Sequence, residues 1–120
     1  MMTNLYKETV EILTEHRKTF DDVRFVKGEN FLIDKDEFIK IAKNTTYDNG
    51  FGWSEIALDL VIMGDNWWLE RKEYDGSEWW EFKRIPSVLG LKYRKITTVC
   101  SRYSKDRFSC FLDEMNEEVE

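Results

Sequence analysis

The chain has 120 residues and a mass of 14.5 kDa, enough for one hydrophobic core and too little for two. With 42% hydrophobic and 35% charged residues it can bury a core inside a solvated shell, which argues against outright disorder. A net charge of -6 sets aside bulk attraction to nucleic acid or anionic lipid, and one His and two Cys leave little material for metal sites or nucleophile relays.

Aromatic residues stand out: five Trp, five Tyr and eight Phe are more than a small core encloses, since each ring buries roughly 150–250 Å². Some are expected at a surface that meets a partner. The plainer alternative is a small sheet covered by rings on both sides, with their polar atoms wet. The start, MMTNLYKETV, lacks a basic region followed by an apolar stretch, and the longest aliphatic run is Leu60–Met63, LVIM. A cytoplasmic protein without a membrane-spanning segment is therefore expected.

In chain order, Leu5, Thr9, Ile12 and His16, flanked by Tyr6, Val10 and Leu13, recur at helical spacing, and Thr3 or Asn4 can cap them. This predicts a helix over 4–19. Val23, Phe25 and Phe31–Ile33 flank a Lys27–Asn30 turn and read as a hairpin. Asp34, with Glu37 three residues on, opens a short helix ending near Lys43. Residues 44–53, containing Asn49, Gly50 and Gly52, read as a loop.

The centre spells three strands, 58–63, 67–74 and 78–85, joined by Gly64-Asp65-Asn66 and Asp75-Gly76. A two-residue Asp75-Gly76 loop sets Glu70 against Glu81 and Glu73 against Glu78. A four-residue loop pairs Lys72 with Glu81 and Glu70 with Lys83, and charge favours this second register. Both registers put Trp67, Leu69, Arg71, Trp80 and Phe82 on one face and Trp68, Tyr74, Trp79 and Ile85 on the other. The second face also carries Glu70, Lys72, Glu81 and Lys83, so it reads as the wetter one, leaving Trp67, Leu69, Trp80 and Phe82 to the core. After Pro86 the pattern is ambiguous. From about Ser104, Phe108, Phe111, Leu112, Met115 and Val119 predict a C-terminal helix. The expected fold class is α+β, a single domain over 1–120 in which N- and C-terminal helices pack on an antiparallel meander of three or more strands.

Charge is polarised along the chain. Residues 1–82 hold 10 basic and 18 acidic side chains, residues 83–107 hold 8 and 1, and residues 108–120 hold 5 acidic ones. Lys92, Arg94, Lys95, Arg102, Lys105 and Arg107, interleaved with Tyr93 and Tyr103, form a candidate phosphate-binding strip. Its plainer role is to neutralise acidic parts of the same molecule, and the acidic tail reads as a solvated end. Cys100 and Cys110 match no zinc spacing and read as buried reduced thiols. His16 reads as a helix-face residue.

Chemistry-bearing motifs are sparse. Asp59 with Glu70-Arg71-Lys72 has the look of a metal-dependent nuclease site. Yet the acids and lysines of this composition yield roughly two acid-x-Lys triplets by chance, and two occur, the other being Glu81-Phe82-Lys83. No catalytic residue, metal site or cofactor is therefore assigned. The hairpin residues Trp68, Glu70, Tyr74, Asp75, Glu78 and Trp79 form the candidate partner-binding set, carboxylates beside rings that could imitate a nucleic-acid strand.

The stretch GFGWSEIALDLVIMGDNWWLERKEYDGSEWWEFKRIP, Gly50 to Pro86, resembles small phage and prophage proteins of Gram-positive bacteria that share a WWLER, EYDGSEWWEFK core. It covers roughly a third of the chain. The resemblance implies a host-takeover or anti-defence setting, in which a short acidic chain binds a host or bacterial-defence protein, inhibition of a CRISPR effector being one form. It brings no catalytic residue with it. The expected function is non-enzymatic binding of such a protein. Accessory nucleic-acid binding through residues 83–107 comes second and a nuclease third.

Overall fold

The computed structural model describes residues 2–50 and 52–116, which fall into two units, Met1–Pro86 and Ser87–Glu120. The fold class is α+β, as expected.

In the first unit, strand β1 (Met2–Asn4) leads directly into helix α1 (Leu5–Glu15). The Asn4 side chain caps the helix by accepting from the Lys7 N–H at 3.0 Å. Leu5, Thr9 and Leu13, four residues apart, are its buried face. The helix stops four residues before the expected Thr19. Arg17 takes a left-handed conformation (φ 58°), and the Lys18 N–H reaches back to the Leu13 carbonyl at 2.8 Å. This is a Schellman turn built without glycine, so the usual sequence signal for it is absent.

Strands β2 (Phe25–Lys27) and β3 (Leu32–Ile33) form the expected hairpin. Helix α2 (Lys35–Lys43) starts where Asp34 accepts from the Glu37 N–H at 3.0 Å. The expected loop 44–53 instead contains strand β4 (Thr46–Asp48), antiparallel to β1 with Thr3 opposite Tyr47. Tyr47 is buried, and its partner strand lies more than forty residues earlier in the sequence, a pairing that no local pattern announces.

Strands β5 (Val61–Met63), β6 (Trp67–Tyr74) and β7 (Ser77–Arg84) complete an antiparallel sheet of order β3-β2-β5-β6-β7. Val26, Ile62, Leu69 and Phe82 align across four strands on the inner face. There Trp67, Leu69 and Trp80 join Val26 and Ile62 in the buried core, with Phe82 packed partly buried against it. Apolar burial of this kind contributes about 1.5–3 kcal/mol per large side chain.

The expected four-residue loop is corrected. Tyr74 pairs with Ser77, so the loop is the two residues Asp75 (φ 50°) and Gly76 (φ 85°), which sets Glu70 opposite Glu81 and Glu73 opposite Glu78. Two successive positive φ values make the turn whose twist matches paired strands. The like-charge pairs are relieved sideways: Glu81 meets Lys83 at 2.8 Å and Glu78 meets Arg71 at 3.0 Å.

The second unit contains a short turn at Ser101–Tyr103 and a one-turn helix α3 (Leu112–Met115). Asn116 ties it together: its Oδ1 accepts from the Thr97 and Thr98 N–H groups at 2.8 and 3.1 Å, and its Nδ2 donates to the Thr98 carbonyl at 2.9 Å. The helix expected from Ser104 does not form there. The Ser104 hydroxyl accepts from the Asp106 N–H and the Asp106 carboxylate from the Phe108 N–H, local turns that compete with helical bonding. Phe108 is 91% exposed, and Ser109 is the only buried residue among those described in this unit. Val119 and the acids Glu117, Glu118 and Glu120 lie outside the described residues.

Candidate functional site

The outer face of the five-stranded sheet is built by simple alternation along β6 and β7. In one cross-strand row, Phe25, Met63, Trp68 and Lys83 stand side by side. In the next stand Lys27, Val61, Glu70 and Glu81, and beyond them Lys72 faces Trp79. Trp68 and Glu70 are half-buried, Phe25 is 53% exposed, Trp79 40% and Tyr74 75%. The surface therefore alternates rings with both signs of charge. Lys83 holds the Glu81 carboxyl below its ordinary range, and Glu81 in turn raises the Lys83 ammonium. Of the expected partner-binding residues, Trp68, Glu70, Tyr74 and Trp79 share this face, and Asp75 is exposed in the adjoining turn. Phe25, Met63 and Val61 extend it, and sequence reasoning missed them because the lateral order of the strands was unknown.

Glu78 is corrected. It precedes Trp79 and so points inward, where it is 3% exposed. Its Oε1 accepts from Arg71 Nη2 at 3.0 Å and from the Ile56 N–H at 3.2 Å, and its Oε2 accepts from the Glu55 N–H at 2.7 Å. Arg71 also meets Glu8 at 3.3 Å, and its guanidinium lies 4.7 Å from the centre of the Trp80 ring. The Tyr47 hydroxyl donates to Glu8 at 2.6 Å and accepts from Arg71 at 3.0 Å. Burial works against the Arg71 charge, but its hydrogen bond to Tyr47 and the charge of Glu8 outweigh that and strengthen its protonated form. For Tyr47, burial first and the bond to Glu8 second push the phenol well above its ordinary range. Next to this network the Trp80 indole donates to Thr9 Oγ1 at 2.9 Å, and the Thr9 hydroxyl donates to the Leu5 carbonyl at 2.7 Å. The arrangement locks α1, β4, β6 and β7 in fixed positions beneath the outer face.

The remaining candidates lie elsewhere. The Asp59 carboxylate accepts from the Glu29 N–H at 2.8 Å, a loop-bracing role. Among the described residues no three His, Cys, Asp or Glu side chains gather into a group that could hold a metal ion. Cys100 and Cys110 are both exposed, against the expected burial, because the segment carrying them has almost no core. In the second unit Arg94 pairs with Asp113 at 2.9 Å, so part of the strip is neutralised locally. Lys92, Lys95, Arg102, Lys105 and Arg107 are exposed and make no ion pair among the described residues, and Tyr93 and Tyr103 are exposed with them. No described helix is long and apolar enough to cross a membrane.

In comparisons with known proteins, no family model, curated protein or solved structure matches the chain.

Proposed function

We propose that the protein is a non-enzymatic binding protein of phage type that engages a host or bacterial-defence protein through the outer face of its sheet. The observation that carries this reading is the cross-strand row of Phe25, Met63, Trp68 and Lys83, with Trp79 and Tyr74 beyond it. Rings half open to solvent on a rigid sheet lose little entropy when covered, and interface hot spots are rich in such residues. The alternating Glu70, Lys72, Glu81 and Lys83 select a partner with the complementary alternation and disfavour uniformly charged surfaces. Inhibition of a CRISPR effector is the form suggested by the resemblance of the Gly50–Pro86 core. The test is retention of a defence protein from a Gram-positive lysate, together with inhibition of effector cleavage. Both should be present with wild type and lost in Trp79→Ala and Phe25→Ala.

A second reading rests on a separate observation. The exposed cations Lys92, Lys95, Arg102, Lys105 and Arg107 alternate with exposed Tyr93 and Tyr103, the composition of a sequence-tolerant strip for single-stranded nucleic acid.

A further inference from the structure

We infer that the first unit carries a binding site for a phosphate monoester, distinct from the outer sheet face. A pocket of about 180 Å³ is lined by His16, Lys18, Asn66, Trp67, Phe82 and Arg84. Three separate pieces of chain supply it. The Schellman turn after α1 delivers His16 and Lys18, the β5–β6 turn delivers Asn66, and the last residue of β7, Arg84, stands directly opposite Trp67.

The floor is rigid and aromatic. His16 stacks on Phe82 with ring centres 3.8 Å apart and planes within 6°, and Phe82 stacks on Trp67 at 5.6 Å. Lys18 Nζ lies 5.8 Å from the centre of the Trp67 ring. Gly64 is part of this construction, since a Cβ there would collide with the Trp67 indole.

Lys18 and Arg84 bring two cations to the pocket and no carboxylate lines it, although acids outnumber bases in the chain. Neither Lys18 nor Arg84 makes an ion pair among the described residues. Asp65, which precedes Asn66 and whose carboxylate feels the Lys18 charge, is held by Arg24, whose Nε and Nη2 donate to its two oxygens at 2.8 and 3.3 Å. A lysine point charge, a planar guanidinium and an asparagine amide lining one small concavity suit a tetrahedral dianion. The volume is below the roughly 300 Å³ where sites for drug-sized ligands begin. It therefore takes a phosphoryl group with its ester-linked carbons rather than a whole dinucleotide. A free sugar phosphate and the 5′-phosphate end of a nucleic acid share this chemistry.

The experiment is a ¹H–¹⁵N titration of the full chain with inorganic phosphate, ribose 5-phosphate, and a short oligonucleotide with and without its 5′-phosphate. The expected result is saturable shifts at Lys18, Asn66, the Trp67 indole and Arg84 with inorganic phosphate, displaced by a monoester. Displacement by ribose 5-phosphate identifies a small ligand, and displacement only by the 5′-phosphorylated oligonucleotide identifies a nucleic-acid end. Lys18→Gln and Arg84→Gln should each weaken binding about tenfold, while Lys40→Gln, an equal charge change on exposed α2, leaves it unchanged. Absence of saturable shifts in the pocket, failure of every monoester to compete, or equal weakening by Lys40→Gln overturns the proposal.

Discussion

Arg71 and Glu78, seven residues apart on neighbouring strands, meet at 3.0 Å with side chains 1% and 2% exposed. Such a pair is costly to bury and costlier to break, because removing one partner strands the other charge away from water. Arg71→Ala should therefore destabilise the first unit by about 3–5 kcal/mol, and Glu78→Ala by a similar amount. The double replacement Arg71→Ala, Glu78→Ala should cost less than the two single losses combined. Urea denaturation of the four proteins checks this; additive losses would mean that the pair is not coupled.

Tyr47 predicts an alkaline limit. Its folded-state pKa is raised from an ordinary 10.0, so its neutral form contributes stability that is fully present below pH 10 and is lost as pH rises above that value. One group contributes at most about 1.4 kcal/mol per pH unit. Wild type should lose stability above pH 10 more steeply than Tyr47→Phe, with the difference absent at pH 7–9. Denaturation midpoints across pH 7–11 measure it; parallel profiles would contradict the account.

Local rules made the centre of the chain legible. Alternation along 67–74 and 78–84 identifies the inner face, and Thr3 or Asn4 and Asp34 mark two helix starts because capping is a short-range signal, Asn4 being the cap that forms. Long-range choices were hidden. Nothing near Thr46–Asp48 reveals that β1 completes it, and Arg17 gives no sign of the left-handed turn that ends α1. The charge of facing pairs alone favours the wrong register at Asp75-Gly76, because Glu81 and Glu78 find Lys83 and Arg71 sideways. Arg71 on the inner face was a readable signal, since a core arginine demands a buried acid. Four of the six partner-site residues share the outer face because period-two alternation survives a two-residue register error; Asp75 lies in the adjoining turn, and Glu78 faces the core.

Two glycines give contrasting costs. Gly76 has φ 85°, so Gly76→Ala strains the turn by about 1–2 kcal/mol. Gly64→Ala drives a methyl into the Trp67 ring and should cost more, about 1–3 kcal/mol or above, while altering the near-ultraviolet circular dichroism of that tryptophan. Thermal melts rank them; a larger loss from Gly76→Ala would be contrary to the packing described.

If the strip from Lys92 to Arg107 binds nucleic acid, affinity for single-stranded DNA should fall with salt at a slope of about -0.7 per phosphate neutralised. Replacing Lys92, Lys95 and Arg102 by Gln should weaken it on every sequence and flatten the slope. Fluorescence anisotropy at several salt concentrations checks this, and no binding at low salt would end the second reading.

The outer face is tested most directly by Trp79→Ala, measured for both stability and affinity toward the partner retained from lysate, with Trp80→Ala as its neighbour on the buried side. Trp80→Ala should lose about 3–5 kcal/mol of stability. Trp79→Ala should fold with nearly wild-type stability and lose about 2 kcal/mol or more of binding. A Trp79→Ala protein that unfolds, or that folds and binds its partner as wild type does, would contradict the assignment of this face.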